Sequence, residues 1–196
     1  TPLAACAYDT TFLQSNLSNN IGWSDGSTGQ TIAAVSQGSY SARVTDANGC
    51  ISLPSNALNV TVNPAPVIAS ANTPNGCLGI PSPFNANIQL GNTNNANISS
   101  VVWSFGDNTT GNTINSPHTY SNIGTYNVSL IVSTNHGCSD TLLSNVTINP
   151  KPSISSTTGA AVCHTNSTLF NQTSTVSNQN GAQISSYAWN FGDGNQ

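Results

Sequence analysis

The sequence predicts an all-β protein built from tandem antiparallel β-sandwiches, the third of them incomplete. Three observations carry that expectation. Landmarks recur at a fixed offset of 86 residues: Asn63-Pro64-Ala65-Pro66 returns as Asn149-Pro150-Lys151-Pro152, Cys77 as Cys163, and Phe84-Asn85 as Phe170-Asn171. The stretch 98–107, containing Trp103 and Phe105, returns at 184–193 with Trp189 and Phe191. Matched cysteine, aromatic and proline positions at one period mark tandem copies of a folded unit, here of small-domain size. Second, apolar residues alternate with polar ones in short runs separated by Gly, Asn and Pro. Third, good helix formers are scarce: the chain has no Met, no Glu and only two basic residues, Arg43 and Lys151.

The strands follow in order. Tyr40, Ala42 and Val44 alternate with Ser41, Arg43 and Thr45, and Leu58, Val60 and Val62 alternate with Asn59, Thr61 and Asn63. Val101, Trp103 and Phe105 face one way, as do Tyr187, Trp189 and Phe191 in the later copy. Tyr126, Val128, Leu130 and Val132 oppose Asn127, Ser129 and Ser133. Apolar-in, polar-out alternation of this kind fits two packed sheets. The Asn-Pro-x-Pro segments read as short, semi-rigid joints, because proline cannot continue a ladder. They divide the chain into repeats at 1–63, 64–149 and 150–196. The third copy stops after its Trp-x-Phe-Gly-Asp-Gly stretch, before counterparts of Tyr126 and Cys138. It reads as part of a longer repetitive protein; the alternative is a neighbouring subunit that donates the remaining strands.

Composition narrows the function. Only 4% of the 196 residues are charged and the formal net charge is −4. Without basic clusters, nucleic acid and anionic membranes are poor partners. No apolar run approaches the length of a membrane span. The 36% apolar content, regularly placed, argues against disorder. No signal-peptide pattern opens the sequence, so it reads as internal or processed. Five cysteines avoid the tight Cys-x-x-Cys zinc spacing. Cys50 and Cys138 end matching stretches, Asn48-Gly49-Cys50 and His136-Gly137-Cys138. One bridge per repeat is expected, Cys6–Cys50 and Cys77–Cys138, with the partner of Cys163 beyond the chain. Disulfides imply an oxidising compartment.

Residues 102–107 (Val-Trp-Ser-Phe-Gly-Asp), Ser116-Pro117-His118-Thr119-Tyr120 and Gly124-Thr125-Tyr126 through Val132 resemble a PKD (polycystic kidney disease) domain. The resemblance spans the second repeat and the first half of the third, where Trp189-Asn190-Phe191-Gly192-Asp193-Gly194 is the nearest match. Asn108 stands where that motif ends in Gly and should take the same left-handed turn. Gly22-Trp23-Ser24-Asp25-Gly26 and Gly38-Ser39-Tyr40 resemble Ig-like adhesin repeats instead. Such repeats beside Gly-Cys PKD domains are similar to giant surface proteins of Bacteroidota, including gliding-motility adhesins exported by type IX secretion. The resemblance implies a core built on Trp23, Tyr40, Trp103, Phe105, Tyr120, Tyr126, Trp189 and Phe191.

Candidate chemistry is sparse. Asp25, Asp107 and Asp193 sit in turns and offer weak calcium sites, since some PKD domains bind calcium; the competing reading is that each carboxylate closes its own Asx turn. Asp46 and Asp140, beside the cysteines, read as turn or strand-end caps. His118 reads as a packed or turn-bonding histidine. His136 and His164 neighbour cysteines expected to be oxidised, which removes a Cys–His nucleophile. Paired carboxylates and a Gly-x-Ser-x-Gly elbow are both missing from the sequence. Asn-x-Ser/Thr sequons, at Asn16, Asn97, Asn108 and Asn166 among others, are as frequent as this composition provides by chance. The expected function is non-catalytic and without cofactor: an extracellular stalk or adhesive array of a bacterial surface adhesin, touching its neighbouring repeats and a protein or polysaccharide ligand. The competing expectations are accessory modules of a secreted hydrolase and a self-assembling filament or surface-layer subunit.

Overall fold

A computed structural model describes residues 3–17, 20–159, 170–177 and 181–191. The chain is all-β, as the alternation predicts; among the described residues the helical content is one 3-10 turn at Thr93–Asn95. The first repeat contains β1 (Leu3–Cys6), β2 (Thr11–Gln14), β3 (Ile21–Trp23), β4 (Thr31–Ala34), β5 (Gly38–Tyr40), β6 (Ala42–Val44) and β7 (Leu58–Asn63). The second contains β8 (Val67–Asn72), β9 (Gly76–Cys77), β10 (Asn85–Gln89), β11 (Ile98–Ser104), β12 (Thr110–Gly111), β13 (Gly124–Thr134) and β14 (Ser139–Asn149). β15 (Ser153–Gly159) and β16 (Phe170–Thr175) follow in the third.

Most pairings are antiparallel: β2 with β4, β3 with β6, β5 with β7, and β15 with β16. Among the described residues β1–β7 and β9–β14 pair in parallel, which alternation alone does not reveal. β1 lies along β7 with Cys6 opposite Asn63, and β9 lies along β14 with Cys77 opposite Asn149. Parallel neighbours need a long crossover; here most of a repeat supplies it, because a strand near its start returns to pair with its last one.

Backbone contacts group the chain into two compact units, one of residues 1–70, 86–102 and 130–142, the other of 71–85, 103–129 and 143–196. In the first unit Leu13, Ile21, Trp23, Ile32, Ala34, Tyr40 and Val60 form a buried cluster. Trp23 donates its indole N–H to the Gly29 carbonyl at 2.9 Å, and Tyr40 its hydroxyl to the Ser36 carbonyl at 2.9 Å. In the second unit Phe84, Trp103, Phe105 and Tyr120 are buried with Val128, Val146 and Ile148. Each such aliphatic side chain contributes about 1.5–3 kcal/mol by leaving water. Trp103 donates to the Thr113 carbonyl (3.1 Å) and Tyr120 to the Phe105 carbonyl (3.0 Å), so each buried polar tip is satisfied.

The alternation of β7 breaks at its end. Asn63, expected on the polar face, is buried at 6% exposure while Leu58 is 48% exposed. The Asn63 carbonyl accepts the Ala7 N–H at 2.7 Å, and its side-chain oxygen accepts from Asn94 at 3.2 Å. Asn94 also donates to the Val62 carbonyl at 3.0 Å. The proline joint is therefore pinned by hydrogen bonds as well as stiffened by its own rings.

The disulfide is not one the repeat boundaries predict. Cys6 is bonded to Cys138, 132 residues away with Cα atoms 5.5 Å apart, while Cys50 and Cys77 are exposed free thiols. The expected pairs Cys6–Cys50 and Cys77–Cys138 are thus both corrected. The cause is register: β1 carries Cys6 to the joint end of β7, whereas Cys50 caps an exposed hairpin bridged between Thr45 and Ile51. Cys163 and the residues around it lie outside the described residues, as does Asp193.

Candidate functional site

Two places concentrate polar chemistry, a turn at Asp107 and the cysteine joint. The turn follows from its sequence. Gly106 has φ +82, and a Cβ there would sit 2.6 Å from the Asn127 carbonyl oxygen, so no larger residue fits. Asn108 takes φ +69, the left-handed conformation expected of it. The Asp107 carboxylate accepts the Thr109 N–H at 3.1 Å and the Thr109 hydroxyl at 2.6 Å on one oxygen. Its other oxygen lies 2.7 Å from His118 Nε2. Because a carboxylate only accepts, Nε2 carries the hydrogen.

The His118 ring is held between aromatic neighbours. It stacks on Phe105 with centroids 4.1 Å apart and meets Tyr120 edge-on at 4.5 Å. Its backbone exchanges both hydrogen bonds with Ser82, at 2.8 and 3.0 Å. Partial burial works to raise the Asp107 pKa, but hydrogen bonds from Thr109 and His118, with the histidine's charge, outweigh it and hold the carboxyl below its ordinary value. Burial, then the neighbouring Asp107 and Tyr126 charges, push the Tyr120 hydroxyl up to about 12.

The arrangement is a clasp rather than a catalytic relay. In a triad, the nucleophile and the orienting carboxylate occupy different ring nitrogens of the histidine. Here both Asp107 and the Thr109 hydroxyl approach Nε2, the latter at 3.4 Å, and the hydroxyl already donates to the carboxylate. Asp25 repeats the turn in the first unit: its carboxylate accepts the Ser27 N–H and hydroxyl, and Trp23 N–H reaches the Ser27 carbonyl as Phe105 N–H reaches Thr109. The Ser27 hydroxyl, then its N–H, lower the Asp25 pKa. Among the described residues no three His, Cys or Asp side chains come together as a metal-holding group.

The cysteine joint has its own repeated geometry. Asp46 and Cys50 close one hairpin, Thr134 and Cys138 another, with N–H to carbonyl distances of 3.0 and 2.8 Å. The cysteine N–H is capped by the Asp46 carboxylate in one and the Thr134 hydroxyl in the other. Cys6 and Cys77 are likewise equivalent, since each opposes the final Asn of its repeat and the next N–H bonds that Asn carbonyl at 2.7 and 2.9 Å. The bridge therefore joins the N-terminal cysteine of one repeat to the hairpin cysteine of the next. Beside it, Asp9, Thr10, Thr11, Asn63 and His136 line a polar cleft of about 350 Å³. His136 Nε2 is 2.8 Å from the Asn94 carbonyl, and Asp140 accepts the Ile68 N–H at 2.8 Å. Asn94 escaped the sequence reading, which placed Asn63 on the polar face; the signal for Asn94 was a pair of asparagines able to adopt φ +54 and +55.

With this geometry in place, comparison with known families is specific for the middle repeat. Residues 63–148 match the PKD domain family. No curated protein sequence matches the chain. Among solved structures, the PKD1 domain of Vibrio anguillarum Epp aligns at 21% identity and TM-score 0.38, covering 45% of this chain and 99% of that one. The PKD1 domain of the Vibrio cholerae metalloprotease PrtV aligns at 22% identity and TM-score 0.29, covering 37% and 94%. A structure reported for carbohydrate-binding modules of the β-sandwich superfamily aligns at 24% identity and TM-score 0.40; the match covers 50% of this chain and 47% of that one. Within the stretch that matches this family, Asp107 and His118 tie the Phe-Gly-Asp turn to the His-Thr-Tyr segment.

Proposed function

We propose that this chain is a non-catalytic extracellular segment, a stalk or display array of a bacterial cell-surface adhesin. The observation that carries the reading is the Cys6–Cys138 bridge, which clasps consecutive repeats across a proline joint. A disulfide presupposes an oxidising compartment, and a surface wetted by Asn, Ser and Thr with 4% charge avoids ionic attraction to nucleic acid and anionic lipid. The equivalence of Cys6 with Cys77, and of Cys50 with Cys138, supports an array in which the same clasp recurs from joint to joint. In that array the PKD segment supplies a rigid bead and the pinned joints pass its orientation on. Type IX export and gliding belong to this proposal through the sequence resemblance alone.

The test is location. Antibodies raised against residues 63–148 should label intact, unpermeabilised cells that make the protein, and surface proteolysis should remove the label. Labelling that appears only after lysis would overturn the proposal.

A further inference from the structure

The turn after β1 carries an aromatic residue where its sister turn carries glycine. Cys6 and Cys77 open the same turn: the Asp9 N–H bonds the Cys6 carbonyl at 3.0 Å, and the Ile80 N–H bonds the Cys77 carbonyl at 3.1 Å. The left-handed position is Gly79 in the second repeat, φ +72, and Tyr8 in the first, φ +73. A bulky side chain is disfavoured in that conformation. Burial does not offset the strain, because Tyr8 is 92% exposed. An outlier of this kind, which packing does not explain, points to a role outside the fold.

Tyr8 lies between Cys6 and Asp9, both of which line the polar cleft of about 350 Å³. The whole lining belongs to the first compact unit. Its hydrogen-bonding groups are left open. Asp25, Asp46, Asp107 and Asp140 each accept a backbone N–H in a turn or at a strand end. Among the described residues the Asp9 carboxylate accepts none, and the Thr10 and Thr11 hydroxyls have no partner either. Asn63 is 6% exposed; its Oδ1 accepts from Asn94, while its Nδ2 has no partner among the described residues. A donor so placed costs free energy until an acceptor reaches it. His136 donates from Nε2 to the Asn94 carbonyl at 2.8 Å, which leaves Nδ1 of the neutral ring as an acceptor.

The lining holds one carboxylate, an amide donor, two hydroxyls and an imidazole, with no Lys or Arg. An anion would face Asp9 unopposed. Among the described residues no three His, Cys or Asp side chains gather to hold a metal, and an apolar ligand would leave the Asn63 amide unpartnered. A neutral polyhydroxylated ring meets every group: its hydroxyls both donate and accept, and its C–H face packs on an aromatic ring. We propose that this cleft binds a neutral saccharide, with Tyr8 as the stacking platform at its rim and Asp9, Asn63 and His136 as hydrogen-bond partners. The cleft volume suits such a ligand, since small-molecule sites span about 300–1,000 Å³. This names a ligand for the display array without resting on it. Saccharide binding is read on the purified chain and location on cells, so either can fail alone.

The probe is a glycan array carrying neutral oligosaccharides beside sulfated and uronic-acid ones, incubated with the intact chain. Saturable binding to neutral glycans is expected, and the strongest of them is then titrated by calorimetry. Tyr8→Gly should weaken that binding at least tenfold while the thermal midpoint stays level or rises, because the sister turn already uses glycine. Asp9→Ala, which removes no hydrogen bond of the fold among the described residues, should weaken it at least fivefold. Binding to no neutral glycan, binding confined to acidic glycans, or equal affinity of the parent and Tyr8→Gly would each overturn the proposal. A midpoint that falls with Tyr8→Gly would overturn it too, by showing that the ring serves the fold.

Discussion

At the scale of single residues, Asp107 and His118 do structural work that resembles chemistry. The carboxylate accepts three hydrogen bonds, from the Thr109 N–H, the Thr109 hydroxyl and His118. Each bond favours the ionised form, so the folded-state pKa falls below 3.8 despite partial burial. A depressed carboxyl pKa stabilises the fold fully above its unfolded value, and that stabilisation disappears as pH drops through the folded value. Asp107→Asn should therefore lower unfolding free energy by about 1.5–3 kcal/mol at pH 7, the range for hydrogen bonds to a charged group. Denaturant titrations of both proteins should converge below pH 3.8, as the native carboxyl itself protonates. A gap that stays constant down to pH 2 would mean that Asp107 acts through shape alone.

At the scale of elements, the strands with clean alternation were legible and their neighbours were not. Val128, Leu130 and Val132 on β13 are buried as the pattern requires, because a central strand packs one face and leaves the other to polar residues. The turn after β11 was legible too, since Gly-Asp-Asn allows few backbone paths. What the sequence hid was pairing across long separations. Nothing local in Leu3-Ala-Ala-Cys6 states that it runs parallel to β7, and that register alone moved Cys6 from the expected partner to Cys138. Similarly, Trp189 and Phe191 read like Trp103 and Phe105, yet Phe191 is 47% exposed where Phe105 is buried. The turn supplies the element-level prediction. Gly106→Ala would force a left-handed side chain into the Asn127 backbone, 2.6 Å away. It should destabilise the second repeat by about 2–3 kcal/mol, strain at a left-handed residue combined with a clash that only backbone movement relieves. Thermal unfolding measures it, and an unchanged midpoint would show that β13 can shift aside. Asn108→Gly, at φ +69, should leave the unfolding free energy within about 1 kcal/mol of the parent.

At the scale of the whole molecule, one covalent bond redirects force. Tension applied from either side of the loop reaches Cys6 and crosses directly to Cys138. Everything between those residues is bypassed: the first repeat after β1, the proline joint, and the second repeat up to its Gly-Cys hairpin. One bridge per repeat would have guarded each module separately; a bridge across the joint guards two modules and the linker together. In the chain-entropy picture, closing a loop of 132 residues also restricts the unfolded state by about 5 kcal/mol. Single-molecule pulling separates the two load paths. With the bridge intact, extension should involve only the residues outside the loop. Reduction, or Cys138→Ser, should release about 450 Å of further chain, the extended length of 132 residues. Cys50→Ser and Cys77→Ser should leave the trace unchanged, because both thiols lie outside the load path while Cys6 and Cys138 stay joined. If oxidised and reduced chains extend to the same length, force runs through the modules and the clasp carries none of it.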